Sequence, residues 1–204
     1  MPAPLSRPAA ALLGVTLLVA GSGCTGDDKS PRASSSSSPP EAAAAPSVPM
    51  KVVVTRVSGK LPKKSRSALE ANVGKTVTAY VDAAFLKGEY PRADFSDSFG
   101  AFTPGAARQA RHDLPLLTNK GLGPTTESVR ATRRTAYLSV LAPHKVAAGV
   151  TAKVNLVFVV NRVDQPAQRI RLGGRLLLTR NKGAGAWSIF GYDLHRSDTP
   201  RSGS

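Results

Sequence analysis

The stretch VTAKVNLVFVV (residues 150–160) decides the fold. Its even positions, Val150, Ala152, Val154, Leu156, Phe158 and Val160, are apolar, and Thr151, Lys153, Asn155 and, one step further on, Asn161 alternate with them. Successive side chains of a strand point to opposite faces, so this parity describes a strand with one face in a core and the other in water. The parity returns in QRIRLGGRLLLT (residues 168–179), with Ile170, Leu172, Leu176 and Leu178 directed inward and Arg169, Arg171 and Arg175 outward. Residues 129–141 and 186–195 complete four long strands. Turn signals at residues 143–149, 164–166 and 181–185 separate them, and connections this short make neighbouring strands antiparallel. Gly173 and Gly174 read as a bend or bulge that lets the sheet curve.

Upstream the period lengthens from 2 to 3.6. A β-type run carrying Val52, Val53, Val54 and Val57 ends at Gly59 and Pro62. Ser67 followed three residues later by Glu70 matches a capping box. Leu69, Val73, Val77, Tyr80, Val81 and Phe85 then recur at helical spacing until Gly88 stops them. An aromatic segment holding Tyr90, Phe95, Phe99 and Phe102 precedes a second short helix over residues 105–117, bent at Pro115. Helices followed by four antiparallel strands make an α+β domain in which a curved sheet wraps around the amphipathic helix.

The N-terminus reads as an export signal. Arg7 precedes the apolar run AAALLGVTLLVA (residues 9–20), and Gly21, Ser22 and Gly23 lead to Cys24. A run of 12 residues is shorter than the roughly 20 a helix needs to cross a bilayer. The small residues before Cys24 resemble a lipobox, which implies a signal over residues 1–23 and a diacylglyceryl group on the Cys24 thiol, although Gly21 stands where lipoboxes carry Leu. The alternative is ordinary cleavage after Ser22. Residues 24–49, with five consecutive serines and then prolines and alanines, read as a disordered tether whose typical span is about 25–30 Å. The folded domain is expected over residues 50–196, with residues 197–204 a tail, on the outer side of a membrane to which Cys24 anchors it.

Cys24 is the only cysteine, which excludes an internal disulfide, a cysteine metal site and a cysteine nucleophile in the domain. His112, His144 and His195 have no metal-like spacing, and neither a Gly-x-Ser-x-Gly elbow nor a phosphate-binding glycine loop appears. We expect no metal and no cofactor. The chain carries 28 Lys and Arg against 13 Asp and Glu, a formal charge of +15. Such a balance attracts polyanions. For an exported chain without an interleaved aromatic platform, these are anionic lipid or wall polymer rather than nucleic acid. Arg169, Arg171 and Arg175 are the candidate anion-binding residues; the plainer reading of them is a solvated outer face. Tyr80, Asp82, Tyr137 and Tyr192 are candidates for lining a pocket. Tyr80 also fits the helix's core stripe, and Tyr137 and Tyr192 would line the packed face of the sheet with their hydroxyls at its rim. His112 and Asp113 read as an exposed pair.

The order of elements over residues 65–195 resembles the nuclear-transport-factor-2-like superfamily, a cone-shaped fold. The phrases FTPGAARQARHD (residues 102–113), GRLLLTR (residues 174–180) and WSIFGYDL (residues 187–194) look like those of actinobacterial lipoproteins. Catalytic members of that superfamily place a carboxylate, tyrosine or histidine at the cone mouth, but none of the candidates here matches such a motif. The resemblance therefore implies a non-catalytic binding or scaffold lipoprotein of the envelope that holds a protein partner or apolar ligand, with an accessory role in lipid transport allowed. An isomerase or dehydratase with a carboxylate base, and simple electrostatic adhesion, are the alternatives.

Overall fold

The computed structural model describes residues 48–181 and 186–200. The residues read as an export signal and tether up to residue 47, Cys24 among them, and residues 182–185 and 201–204 lie outside them. Five strands form one open sheet in the order β1-β2-β3-β4-β5: β1 (Lys51–Gly59), β2 (Thr126–Ala142), β3 (Gly149–Arg162), β4 (Gln165–Arg180) and β5 (Trp187–Pro200). The α+β class is as expected. The sheet is not the four-stranded antiparallel one, however, because β1 joins it in parallel with β2. The whole helical segment runs between these two strands, which is the long crossover a parallel pair requires, whereas β2 to β5 follow one another through short turns and are antiparallel. β5 is also longer than the sequence suggests. Ser197 and Thr199 pair with Arg171 and Arg169, so residues 197–200 belong to the strand rather than to a tail.

The helical layer covers the inner face. Helix α1 (Lys63–Val81) begins after Pro62, four residues ahead of the supposed capping box. Ser67 is inside the helix, where its hydroxyl donates to the Lys63 carbonyl (3.4 Å). Glu70 does something else: its carboxylate accepts the backbone N–H of Val54 on the edge strand β1 (2.7 Å). A Cβ on Gly74 would stand 3.1 Å from the Val52 side chain, so glycine lets the helix lie close against that edge. The helix runs on into a π-helical turn, Asp82–Leu86. Helix α2 (Pro104–Ala110) is capped by the Thr103 hydroxyl, which accepts from the Ala106 N–H (3.4 Å). The last carbonyls of α3 (Leu114–Leu117) receive the Arg196 guanidinium, which donates to Thr118 O (3.0 Å) and Pro115 O (3.3 Å).

Between the layers lies one core. Leu69, Val73, Val77, Tyr80 and Phe85 from the helix share it with Leu138, Leu156, Phe158, Ile170, Leu172, Leu176 and Leu178 from the sheet. Aromatic rings fill its centre, Tyr80 edge-on to Phe102 at 5.0 Å and Phe85 against Phe158 at 5.8 Å. Among the described residues every core residue lies between positions 50 and 194, so this segment carries its own folding unit.

Candidate anion-binding face

Strand register turns the alternation in sequence into a surface. The even residues of β3 face the core, and the odd ones face away from the helices. Along that outer face Val157 of β3 is flanked by Arg133 of β2 and Arg171 of β4, and Val159 by Arg130 and Arg169. Both valines are buried, at 4% and 7% exposure, yet neither belongs to the core between sheet and helices. Their cross-strand neighbours on both sides are arginines, whose aliphatic stems can cover apolar surface while the charged heads stay in water. The arginines therefore form two rows across the sheet, about 7 Å apart along a strand and about 10 Å apart across two strand spacings.

The sequence reading found only half of this lattice. A β-bulge at Thr132, whose hydroxyl donates to Val157 O (3.2 Å), changes the phase of β2. Before the bulge the odd residues Val129 and Ala131 pair with inward Val160 and Phe158; after it the even residues Ala136, Leu138 and Val140 are the buried ones. Arg130 and Arg133 thus share the outer face although three residues separate them. The signal was present as the switch in parity of the apolar residues between 131 and 136.

The same phase change sends Arg134 inward, so it does not belong to the cationic surface. It is 8% exposed, and its guanidinium donates to Asp82 Oδ1 (2.5 Å), while Lys87 Nζ lies 3.1 Å from Asp82 Oδ2. The Arg134 Nε has no hydrogen-bond partner. Asp82 is held by two cations.

Among the described residues Arg130, Arg133, Arg169 and Arg171 form no side-chain ion pair or hydrogen bond, and Arg133, Arg169 and Arg171 are exposed. Arg175, the third cation named from the sequence, also points outward but is matched. Its Nη2 lies 2.6 Å from Asp193 Oδ2 on β5, in a pair so exposed that it stabilises little. That row continues through Lys153 to Tyr137. Tyr137 is 41% exposed on the outer face, not on the packed one. Row by row, the register places Arg130, Arg133, Lys153, Arg169, Arg171 and Arg175 on the outer face of β2 to β5 with the carboxylate of Asp193, while Glu127 is exposed at the register shift that opens β2.

The four candidate pocket residues are not brought together. Tyr80 is core, with its hydroxyl donating to Leu117 O (3.0 Å), and burial raises its phenol far above the ordinary value. Tyr192 faces inward across Phe102 from Tyr80 and donates to Asp113 Oδ2 (2.7 Å). Burial, and then the neighbouring Asp113 carboxylate, push the Tyr192 phenol up to about 12. Asp82 is committed to its cations and Tyr137 lies on the far side of the sheet. Among the clefts that open on the described residues, four of 260–430 Å³ are lined by none of Tyr80, Asp82, Tyr137 or Tyr192. His112 is exposed and His195 lies on the outer face over Gly173. Among the described residues no group of three or more His, Cys, Asp or Glu side chains comes together, and no helix is long and apolar enough to cross a membrane.

Fold and surface together define an α+β domain with a packed interior and an unneutralised arginine lattice on the open face of its sheet. No protein-family model, no curated protein and no solved structure matches the chain, so the functional reading rests on this geometry.

Proposed function

We propose that the domain is a non-catalytic binding module of the cell envelope that holds a hydrated polyanion, of the phosphate-bearing wall-polymer kind, on the outer face of its sheet. The observation that carries this reading is the lattice of Arg130, Arg133, Arg169 and Arg171, four guanidinium groups without carboxylate partners on rigid neighbouring strands. Planar guanidinium forks suit phosphate oxygens, and fixing them on strands reduces the ordering cost of binding. Val157 and Val159 beneath them are already covered, so the four-arginine lattice offers charge and hydrogen bonds rather than a greasy contact, which favours a polymer that stays in water.

The export signal and the acylated Cys24 would hold the module outside the membrane. Its chain enters the sheet beside the arginines: the Val48 N–H donates to Ala131 O (3.4 Å), between Arg130 and Arg133 in sequence. The cone-shaped superfamily likeness remains part of this proposal and agrees with helices lying on one face of a sheet.

The test is titration of the chain with inorganic polyphosphate over a salt series. Binding should weaken as ionic strength rises and should fall steeply in the Arg169→Gln/Arg171→Gln variant. Binding that ignores both salt and these substitutions refutes the reading.

A further inference from the structure

A second basic surface lies at the other end of the sheet, and its chemistry differs. There the end of β1 meets the β2–β3 turn, with Gly59 paired to Ala142 and a Cβ on Gly59 falling 2.3 Å from the Ala142 carbonyl oxygen. Two clefts tie the surrounding segments together. One, of 280 Å³, places Leu61 and the first turns of α1 beside Lys145, Val146 and Arg180; the other, of 430 Å³, places Lys60 and Arg66 beside the end of β1. Lys63 and Lys64 open the helix between them. Neither cleft is lined by an acid, and the nearest carboxylate in sequence, Glu70, is engaged with Val54.

This end also exposes apolar side chains, which the arginine lattice does not. Leu141 is 56% and Val146 is 53% exposed, at the two shoulders of the turn. Between them His144 and Lys145 hold left-handed backbone conformations (φ 53° and 65°), uncommon for residues with side chains, so the turn is a fixed, sharply folded tip. Exposed Leu and Val on a tip ringed by lysines and arginines match an interface that is anionic outside and apolar beneath.

We infer that this pole docks on an anionic lipid bilayer: Leu141 and Val146 enter the headgroup–acyl boundary, and Lys60, Lys63, Lys64, Arg66, Lys145 and Arg180 meet lipid phosphates. The occupant is a membrane rather than a polyanion in water, because a membrane buries the two exposed apolar side chains while pairing the cations and a polyanion in water does not. The inference does not depend on the arginine lattice or on acylation of Cys24. Membrane docking at this pole would leave the arginine face of the sheet free for a second ligand.

The experiment uses the chain from residue 48 onward, which contains every core residue among those described and no cysteine. Flotation with phosphatidylcholine vesicles, with and without phosphatidylglycerol, should show binding only to the anionic ones. Lys60→Gln/Lys63→Gln/Lys64→Gln should weaken it roughly a hundredfold, at about fivefold per basic residue, whereas Arg169→Gln/Arg171→Gln should change it little. An environment-sensitive dye on Leu141→Cys should report an apolar setting on the vesicle. Absence of vesicle binding, a dye that stays in water on bound protein, or a loss confined to the arginine variant would each overturn the inference. The last result would move the membrane contact to the sheet face, and polyphosphate binding would separately decide the fate of the proposed function.

Discussion

Replacing Arg171 with Gln should stabilise the protein while weakening it as a binder. Arg171 stands about 7 Å from Arg169 along β4 and about 10 Å from Arg133 across β3. At these distances, in a water-like dielectric, the two repulsions are about 0.6 and about 0.4 kcal/mol, or about 1 kcal/mol together. Its direct cross-strand neighbours are Val157 and Ser197 rather than carboxylates, and Asp193 is taken by Arg175. For a domain of this size 1 kcal/mol corresponds to about 2–4 °C in Tm. Differential scanning calorimetry at low ionic strength should therefore show Arg171→Gln melting higher than the parent by that amount. The difference should shrink to less than half near 0.15 M salt, where the screening length is about 8 Å, and vanish near 1 M, where it is about 3 Å. Arg171→Lys, which keeps the charge, should show no gain. A salt-independent change, or a loss of stability at low salt in Arg171→Gln, would refute the claim that the lattice is electrostatically strained. A surface that is less stable than it could be, and stronger in its attraction to anions for that reason, is the pattern expected where function opposes stability.

Removing one member of the buried pair, by Asp82→Ala or Arg134→Met, should cost about 3–5 kcal/mol in urea unfolding, and Asp82→Leu/Arg134→Met together much less than the sum; additive losses would show that the two do not act as a pair. The folded state keeps the Tyr192 proton up to about 12, against an ordinary 10.0, so between those values it binds a proton that the unfolded chain has lost. Stability should fall as pH rises through that window, and Asp113→Asn should lower the Tyr192 midpoint seen by tyrosinate absorbance; an unmoved midpoint would mean that Asp113 plays no part. Gly174→Ala should be severely destabilising by thermal melt, because φ is +130° and the added Cβ would fall 2.1 Å from the Asp193 carbonyl oxygen. A melt like the parent's would show that the strand relaxes there.

How much of this could be read from the chain differs by element. The parity of residues 150–160 and 168–179 placed β3 and β4, their inner faces and the outward direction of Arg169, Arg171 and Arg175, because a half-buried strand writes its two environments into alternate residues. Parallel pairing of β1 is a long-range choice that leaves no local trace, and the bulge at Thr132 breaks the very alternation that pattern reading relies on. Tyr137 therefore reads as a residue of the packed face, and the alternation gives no sign that Arg134 turns inward. The Ser67–Glu70 spacing imitated a cap because Glu70 is retained for a partner sixteen residues earlier. Local rules fail where a side chain serves a distant strand.

Glu70 has a consequence for how copies of the protein behave in a crowd. An edge strand with free amide groups is a rail on which a second chain can add a strand, and β1 forms one border of this sheet. Along its first half the rail is occupied, with helix α1 lying against Val52 and the Val54 amide held by Glu70. Beyond it come Arg56 and then Lys60, so two copies meeting border to border bring like charges together. Self-association along β1 is thus opposed by occupancy and by repulsion, and a high local density of copies should not extend the sheet through this border.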